Sequence, residues 1–279
     1  MDQTSSIWSS QSTLTDFTTQ LLGDSGYSKA AASSGYTLQA ALPQKSGDSG
    51  IDALVWFSVP RWNYEIPNDG NTVYYMFMTE PLMSSHYGDA VVDFSPFTDA
   101  QKTAVRSIFD EAESLTGLTF VETTDSSSTD IFFGNSDILA ADTVGMTYSY
   151  VDYATDASGY LTYLERFDFV YLDSAEFADI TLSPEAGNYG YEYLMHEIGH
   201  TLGLDDTAVT GILAAQYDNT NYTVMSYNNG SESPQSSYQE LDVSALNYIY
   251  GTSSRALVAD ATTSLYTSGS SAQAIFAQA

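Results

Sequence analysis

Residues 196–206 read HEIGHTLGLDD, and this stretch restricts the fold more than any other in the chain. Histidines four apart share one face of an α-helix, so His196 and His200 can offer two imidazoles to one ion. Glu197 is turned one residue around. It can reach a water at that ion without binding metal, as a general base in metal-assisted hydrolysis must. The opposite side, Leu194, Ile198 and Leu202, is apolar and must be buried. One short helix is thus required to have a packing face in a core and a chemical face on a cleft.

Gly203 comes three residues after His200. A glycine there can take the left-handed conformation that ends a helix and turns the chain back toward the ion. Counting from His200, the third-ligand position falls on Asp206, and zinc accepts a carboxylate oxygen in such a place. Histidine supply agrees, since the chain has three: His86, His196 and His200. His86 lies far upstream in MSSHYGDA, a loop-like context that suits a surface or cleft residue better than a ligand. Asp205 should point away and serve as a cap or supporting group. The competing reading is a chance HExxH whose two aspartates merely cap a following helix, TAVTGILAAQ. The helical context, the glycine stop and a second motif downstream weigh against it.

Charge narrows the partners. Against 7 Lys plus Arg stand 36 Asp plus Glu, a formal net charge of -29. Such a surface repels phosphate backbones and anionic lipid, which excludes nucleic acid and membrane surfaces as expected partners. The chain has no cysteine, so disulfides, thiolate-held zinc and thiol catalysis are ruled out. No apolar run is long enough to cross a bilayer, and MDQTSSIWSS has no signal-peptide pattern. The protein either stays inside, leaves by a route needing no N-terminal signal, or has lost a leader.

Residues 1–50 read as a Ser/Thr/Gly/Ala-rich arm with a helix near Thr13–Leu22, residues 51–255 as one domain, and residues 256–279 as a polar tail. TVYYMFM, LTFVET, DIFFGNS, GMTYSY and FDFVYLD are strand-like. Between the first two, residues 95–117 give an amphipathic helix capped by Thr98 and stopped by Gly117. A later helix within SYQELDVSALNYIYG places Leu241, Ala245, Leu246 and Ile249 on one face. Strand, long helix and further strands ahead of the motif helix imply an α+β domain on a mixed sheet.

HEIGHTLGLDD together with YTVMSYNNG (222–230) resembles the metzincin zinc peptidases, whose pattern joins HExxHxxGxxH to a downstream Met-turn. Within that clan the chain is most similar to the serralysin branch. YG before the helix, LTFVET followed by DIFFGN, and DVSALNYIYG after the Met-turn carry the likeness through roughly residues 50–255. The resemblance implies a zincin-like catalytic domain: a five-stranded twisted mixed sheet with an antiparallel edge strand, an active-site helix and a Met-turn. It implies a zinc endopeptidase with His196, His200 and Asp206 on the metal and Glu197 as base. Tyr227 would stabilise the oxyanion, and Met225 would form the floor under the ion. GMTYSY would be the edge strand that pairs with an extended peptide substrate, and the protein would be a secreted, extracellular monomer.

Two departures stand out. Aspartate replaces the third histidine, as in snapalysin-type metzincins, and the glycine-rich calcium repeats that follow a serralysin domain are missing from this sequence. They motivate an alternative reading, a catalytically inactive binding or adhesion module on the same fold. The Asp-rich loops DYATDAS (152–158) and TTDSSSTD (123–130) read first as solvated loops, with calcium sites as the lesser alternative.

Overall fold

β-branched and aromatic residues dominate the strands that build the scaffold. The computed structural model describes residues 37–63, 71–82, 91–140, 142–230 and 233–251. Among these, six strands form one mixed sheet: β1 (Thr72–Phe77), β2 (Val91–Ser95), β3 (Thr119–Glu122), β4 (Ile131–Ile138), β5 (Gly145–Thr155) and β6 (Leu161–Asp173). The order is β3-β1-β4-β6-β5, parallel except for β5, which runs antiparallel to β6 at the edge. The expected five strands are exceeded by one. β6 takes one side of β4, while β1 pairs along residues 131–133 of the other side and β2 continues there, antiparallel, over residues 135–138.

Helices α1 (Leu38–Ala41), α2 (Ser49–Asp52), α3 (Asp99–Thr116), α4 (Ala178–Thr181), α5 (Tyr189–Thr201), α6 (Thr207–Thr210) and α7 (Glu240–Tyr250) complete the described elements. The long helix α3 has the ends its sequence calls for. Thr98 and Gln101 form a reciprocal capping box, and Gly117 closes it at φ 70°. The helix expected over TAVTGILAAQ is only α6, because Gly211 turns left-handed at φ 62° and stops it. The expected helix near Thr13–Leu22, His86 and the tail 256–279 lie outside the described residues.

The period-two strands put apolar side chains on both faces of the sheet. Val73, Tyr75, Ile131, Phe133, Val170 and Leu172 join the buried faces of α3, α5 and α7 in the main core. On the opposite face Phe132 stacks on Phe169 at 4.7 Å, beside Met78, Ile138, Phe167 and Tyr171. Each fully buried side chain of this size contributes roughly 1.5–3 kcal/mol.

One charged pair sits inside. Arg166 donates to both carboxylate oxygens of Asp168, to Pro60 O at 2.7 Å and to Thr201 O at 2.9 Å, with Trp62 4.1 Å away over its guanidinium. Trp62 Nε1 donates to the same Thr201 carbonyl at 2.7 Å. Cationic and polar donors thus gather at the C-terminal end of α5, where the helix dipole favours them.

Candidate metal centre

Helix α5 starts at Asn188, whose side chain accepts from Tyr191 N. It carries Leu194, Ile198 and Leu202 into the core, all fully buried, and so holds His196 and His200 on its cleft side. Gly203 ends it at φ 89°. From there the chain is clamped by a segment far upstream: Trp56 N donates to Gly203 O, Val55 bridges Leu204, and Asp205 N donates to Leu54 O. The clamp delivers Asp206, whose Oδ1 lies 3.2 Å from His196 Nε2 and 3.4 Å from His200 Nε2. The three residues predicted from spacing therefore converge.

Their supporting contacts set the chemistry. His196 Nδ1 lies 2.8 Å from Val224 O, and His200 Nδ1 lies 2.9 Å from Leu204 O. A carbonyl only accepts, so each Nδ1 carries the hydrogen and each Nε2 keeps its lone pair for an ion. His200 Nε2 and both carboxylate oxygens of Asp206 are buried without a hydrogen-bond partner among the described residues. Orphaned buried polar atoms are costly unless something charged completes them. Two imidazole nitrogens and one carboxylate oxygen, all within 4.8 Å of one another, suit zinc. The donor set fits.

Until an ion binds, protons would compete for the same cluster. Burial opposes charge on His200, yet the Asp206 carboxylate outweighs it and holds His200 up to about 10. Burial likewise opposes charge on His196, and Asp206 still raises it. Burial works to raise Asp206, but the two histidines hold it far below the usual carboxylate range. Among the described residues Asp205 lies outside this cluster. Its Oδ1 accepts from Asp206 N at 2.9 Å, and burial pushes it up to about 6. Asp206 occupies the N-cap position of α6 without making a side-chain cap bond, so capping does not account for it.

Glu197 faces the edge strand. The Thr147 hydroxyl of β5 lies 2.8 Å from Glu197 Oε2, and Gly145 leaves the room Glu197 needs. A methyl group on Gly145 would stand 2.8 Å from Glu197 Cγ. Met225 is fully buried beneath the helix, where Gly199 admits it: a Cβ there would meet its Sδ at 2.7 Å. Tyr227 is 51% exposed, its ring 5.8 Å from that of His196.

Two aspartates that sequence reasoning passed over hold this turn. Asp242 on α7 accepts from Thr223 Oγ1, Val224 N and Gln239 N, fixing the carbonyl that His196 uses. Asp218 accepts from Thr207 Oγ1 and Ser226 Oγ, tying the residue after Asp206 to the residue after Met225. Asp242 was legible as a helix-start residue in ELDVSAL, whereas Thr147, Gly145 and Asp218 left no local signal. A cleft of about 370 Å³ opens beside the ligands, lined by His196, Glu197, Gly145, Glu192, Val224 and Tyr227 among others.

Three aspartates of the loops suggested for calcium accept hydrogen bonds from neighbouring residues of the chain. Asp125 accepts from Ser127, Asp130 from Tyr74 N, and Asp156 from Ser158 N and Tyr160 N. Neither loop gathers three ligand side chains among the described residues. Asp137, Asp173 and Glu176 do come together, but Asp173 accepts backbone N–H groups from Ile138, Ala175 and Phe177 and shapes the chain there.

The chain is similar to serralysins. It is 31% identical over 223 residues to a serralysin of Proteus mirabilis, covering 72% of this chain and 40% of that protein. It is 30% identical over 180 residues to a serralysin of Photorhabdus luminescens, covering 58% and 35%. Metalloprotease AprA of Pseudomonas entomophila is 29% identical over 173 residues, covering 58% and 33%. The chain thus spans two fifths or less of the length of these relatives. No family model matches it. Among the described residues, no helix is long and apolar enough to cross a membrane.

Proposed function

We propose that this chain is a serralysin-like, metzincin-type zinc endopeptidase acting on extended peptide segments of proteins outside the cell, as a monomer. The observation that carries the reading is the convergence of three buried donors, each imidazole tautomer set by a carbonyl, beside the Glu197 carboxylate, which accepts from Thr147 of the edge strand. The serralysin likeness supports it, and with it the extracellular location.

His196, His200 and Asp206 would hold zinc, which supplies Lewis acidity that polarises a peptide carbonyl and lowers the pKa of water. Glu197 takes the proton from the attacking water and returns it to the leaving amine as the C–N bond breaks. Thr147 keeps the Glu197 carboxylate aimed into the cleft. The Tyr227 phenol, exposed beside His196, donates to the oxygen that gains charge. β5 pairs with β6 along one side only among the described strands, so its outer side can take an extended substrate as an added strand.

Two measurements test the reading together. Elemental analysis should find one zinc per chain, lost in Asp206→Ala, and cleavage of casein or labelled peptides should stop with a chelator. Glu197→Gln should keep zinc and lose cleavage. Full turnover in Glu197→Gln, or no cleavage by the zinc-loaded protein across a broad peptide library, would leave the binding-module alternative standing.

A further inference from the structure

The cleft beside the metal ligands contains an acid that the hydrolytic steps do not use. Glu192 lies one turn before His196 on α5, lines the cleft, and is only 4% exposed. Gln235 N donates to its Oε2 at 2.5 Å, and among the described residues Oε1 has no hydrogen-bond donor. Burial lifts its pKa, with the Gln235 N–H and His196 acting against the rise. Charge on a carboxylate this buried is costly, and a cation placed against it relieves that cost.

The surroundings favour the same occupant. Asp142 and Glu197 add two more acids to the lining, and among the described residues no lysine or arginine is part of it. Tyr193 and Tyr227 contribute aromatic rings, which attract cations over their faces. Gly145, where β5 begins, borders the same cleft without a side chain to block it. An extended peptide laid along β5 alternates its side chains, and one of them must pass this opening.

We propose that Glu192 makes the cleft a specificity pocket for a cationic side chain, lysine or arginine, adjacent to the scissile bond of the peptide. The inference rests on the peptidase reading above. It differs from the general pull of a chain with net charge -29, which attracts cations anywhere along a substrate and weakens with salt.

The test is positional. Fluorogenic peptides carry lysine, arginine, citrulline, norleucine or glutamate at each position around a single cleavage site, and zinc-loaded wild type is compared with Glu192→Gln. Glutamine keeps an acceptor for Gln235 N and removes the charge. Wild type should cleave the lysine or arginine peptide at one adjacent position about tenfold faster than its norleucine or citrulline counterpart at 0.5 M salt, roughly the size of a modest pocket discrimination. In Glu192→Gln that ratio should fall to near unity, while lysine at remote positions responds alike in both proteins. The wild-type comparison of lysine with norleucine stands even if the variant folds poorly. Equal rates for the two, or a preference that survives in a folded Glu192→Gln, would overturn the inference and leave the peptidase reading intact. Binding of the same peptides, followed by anisotropy, separates the remaining case. Binding that depends on lysine and on Glu192, with no cleavage by wild type, would sink the peptidase reading and keep the pocket, and absence of both sinks both.

Discussion

The Thr147 hydroxyl sits between the two oxygens of Glu197 that face it, 2.8 Å from Oε2 and 3.0 Å from the backbone carbonyl. The Thr147 hydroxyl hydrogen therefore links the edge strand to the proposed base. Replacing Thr147 with Val keeps the shape and removes the link. We expect kcat on a peptide substrate to fall about tenfold, the lower end of losses seen when a supporting partner of a site is removed. KM and zinc content should hold. An unchanged kcat in steady-state assays would mean that Glu197 is oriented by other contacts.

Gly145 gives a harsher perturbation of the same residue. In Gly145→Ala the new methyl would sit 2.8 Å from Glu197 Cγ and 3.0 Å from Leu172 Cδ2. Overpacking of this kind costs about 1–3 kcal/mol. Chemical denaturation should show that loss, and peptide cleavage should drop further than stability alone explains while zinc stays bound.

Protons and zinc compete for one cluster. Folding raises His200 to about 10, so in chelated protein its contribution to stability is present below its ordinary value of 6.5 and lost as pH rises through about 10. Asp206 is lowered by folding, so its contribution is present above 3.8 and lost on acidification. Chelated protein should accordingly melt at lower temperature at pH 10 than at pH 6.5, with a much smaller change when zinc is bound. Zinc binding should also release protons, measurable by calorimetry in buffers of different ionisation heat.

Arg166 and Asp168 form a buried pair, with side chains 2% and 0% exposed. Arg166→Met strands the carboxylate and also empties two carbonyl contacts, at Pro60 and Thr201. The expected loss is about 3–5 kcal/mol. Urea midpoints should show it, and Arg166→Met with Asp168→Leu should recover part of it. A single mutant as stable as wild type would assign the pair no structural role.

What the sequence revealed follows the range of the forces involved. Helix α3 was readable at both ends because Thr98, Gln101 and Gly117 act within a few residues of themselves. His196 and His200 were readable for the same reason, being one helical turn apart, and Asp206 followed from the turn at Gly203. β2 was missed because its five residues, VVDFS, gain their place from the open edge of β4 rather than from their own pattern. The helix read over TAVTGILAAQ shortens to α6 because Gly211 turns left-handed and stops it. Thr147, Asp218 and Glu192 reach the site from separate parts of the fold or through cavity shape, and no spacing in the chain encodes that.

Residues 53–56 donate no ligand, yet they grip the loop that carries Asp206, through contacts such as Thr210 Oγ1 on Ala53 O across 157 positions of chain. An ion captured by the helix and that loop would consequently act as a staple on the upstream segment too, because closing so long a loop is entropically expensive and is best sustained by several weak ties at once. Hydrogen exchange at the amides of Trp56 and Asp205, which donate to Gly203 O and Leu54 O, should therefore slow sharply when zinc is added.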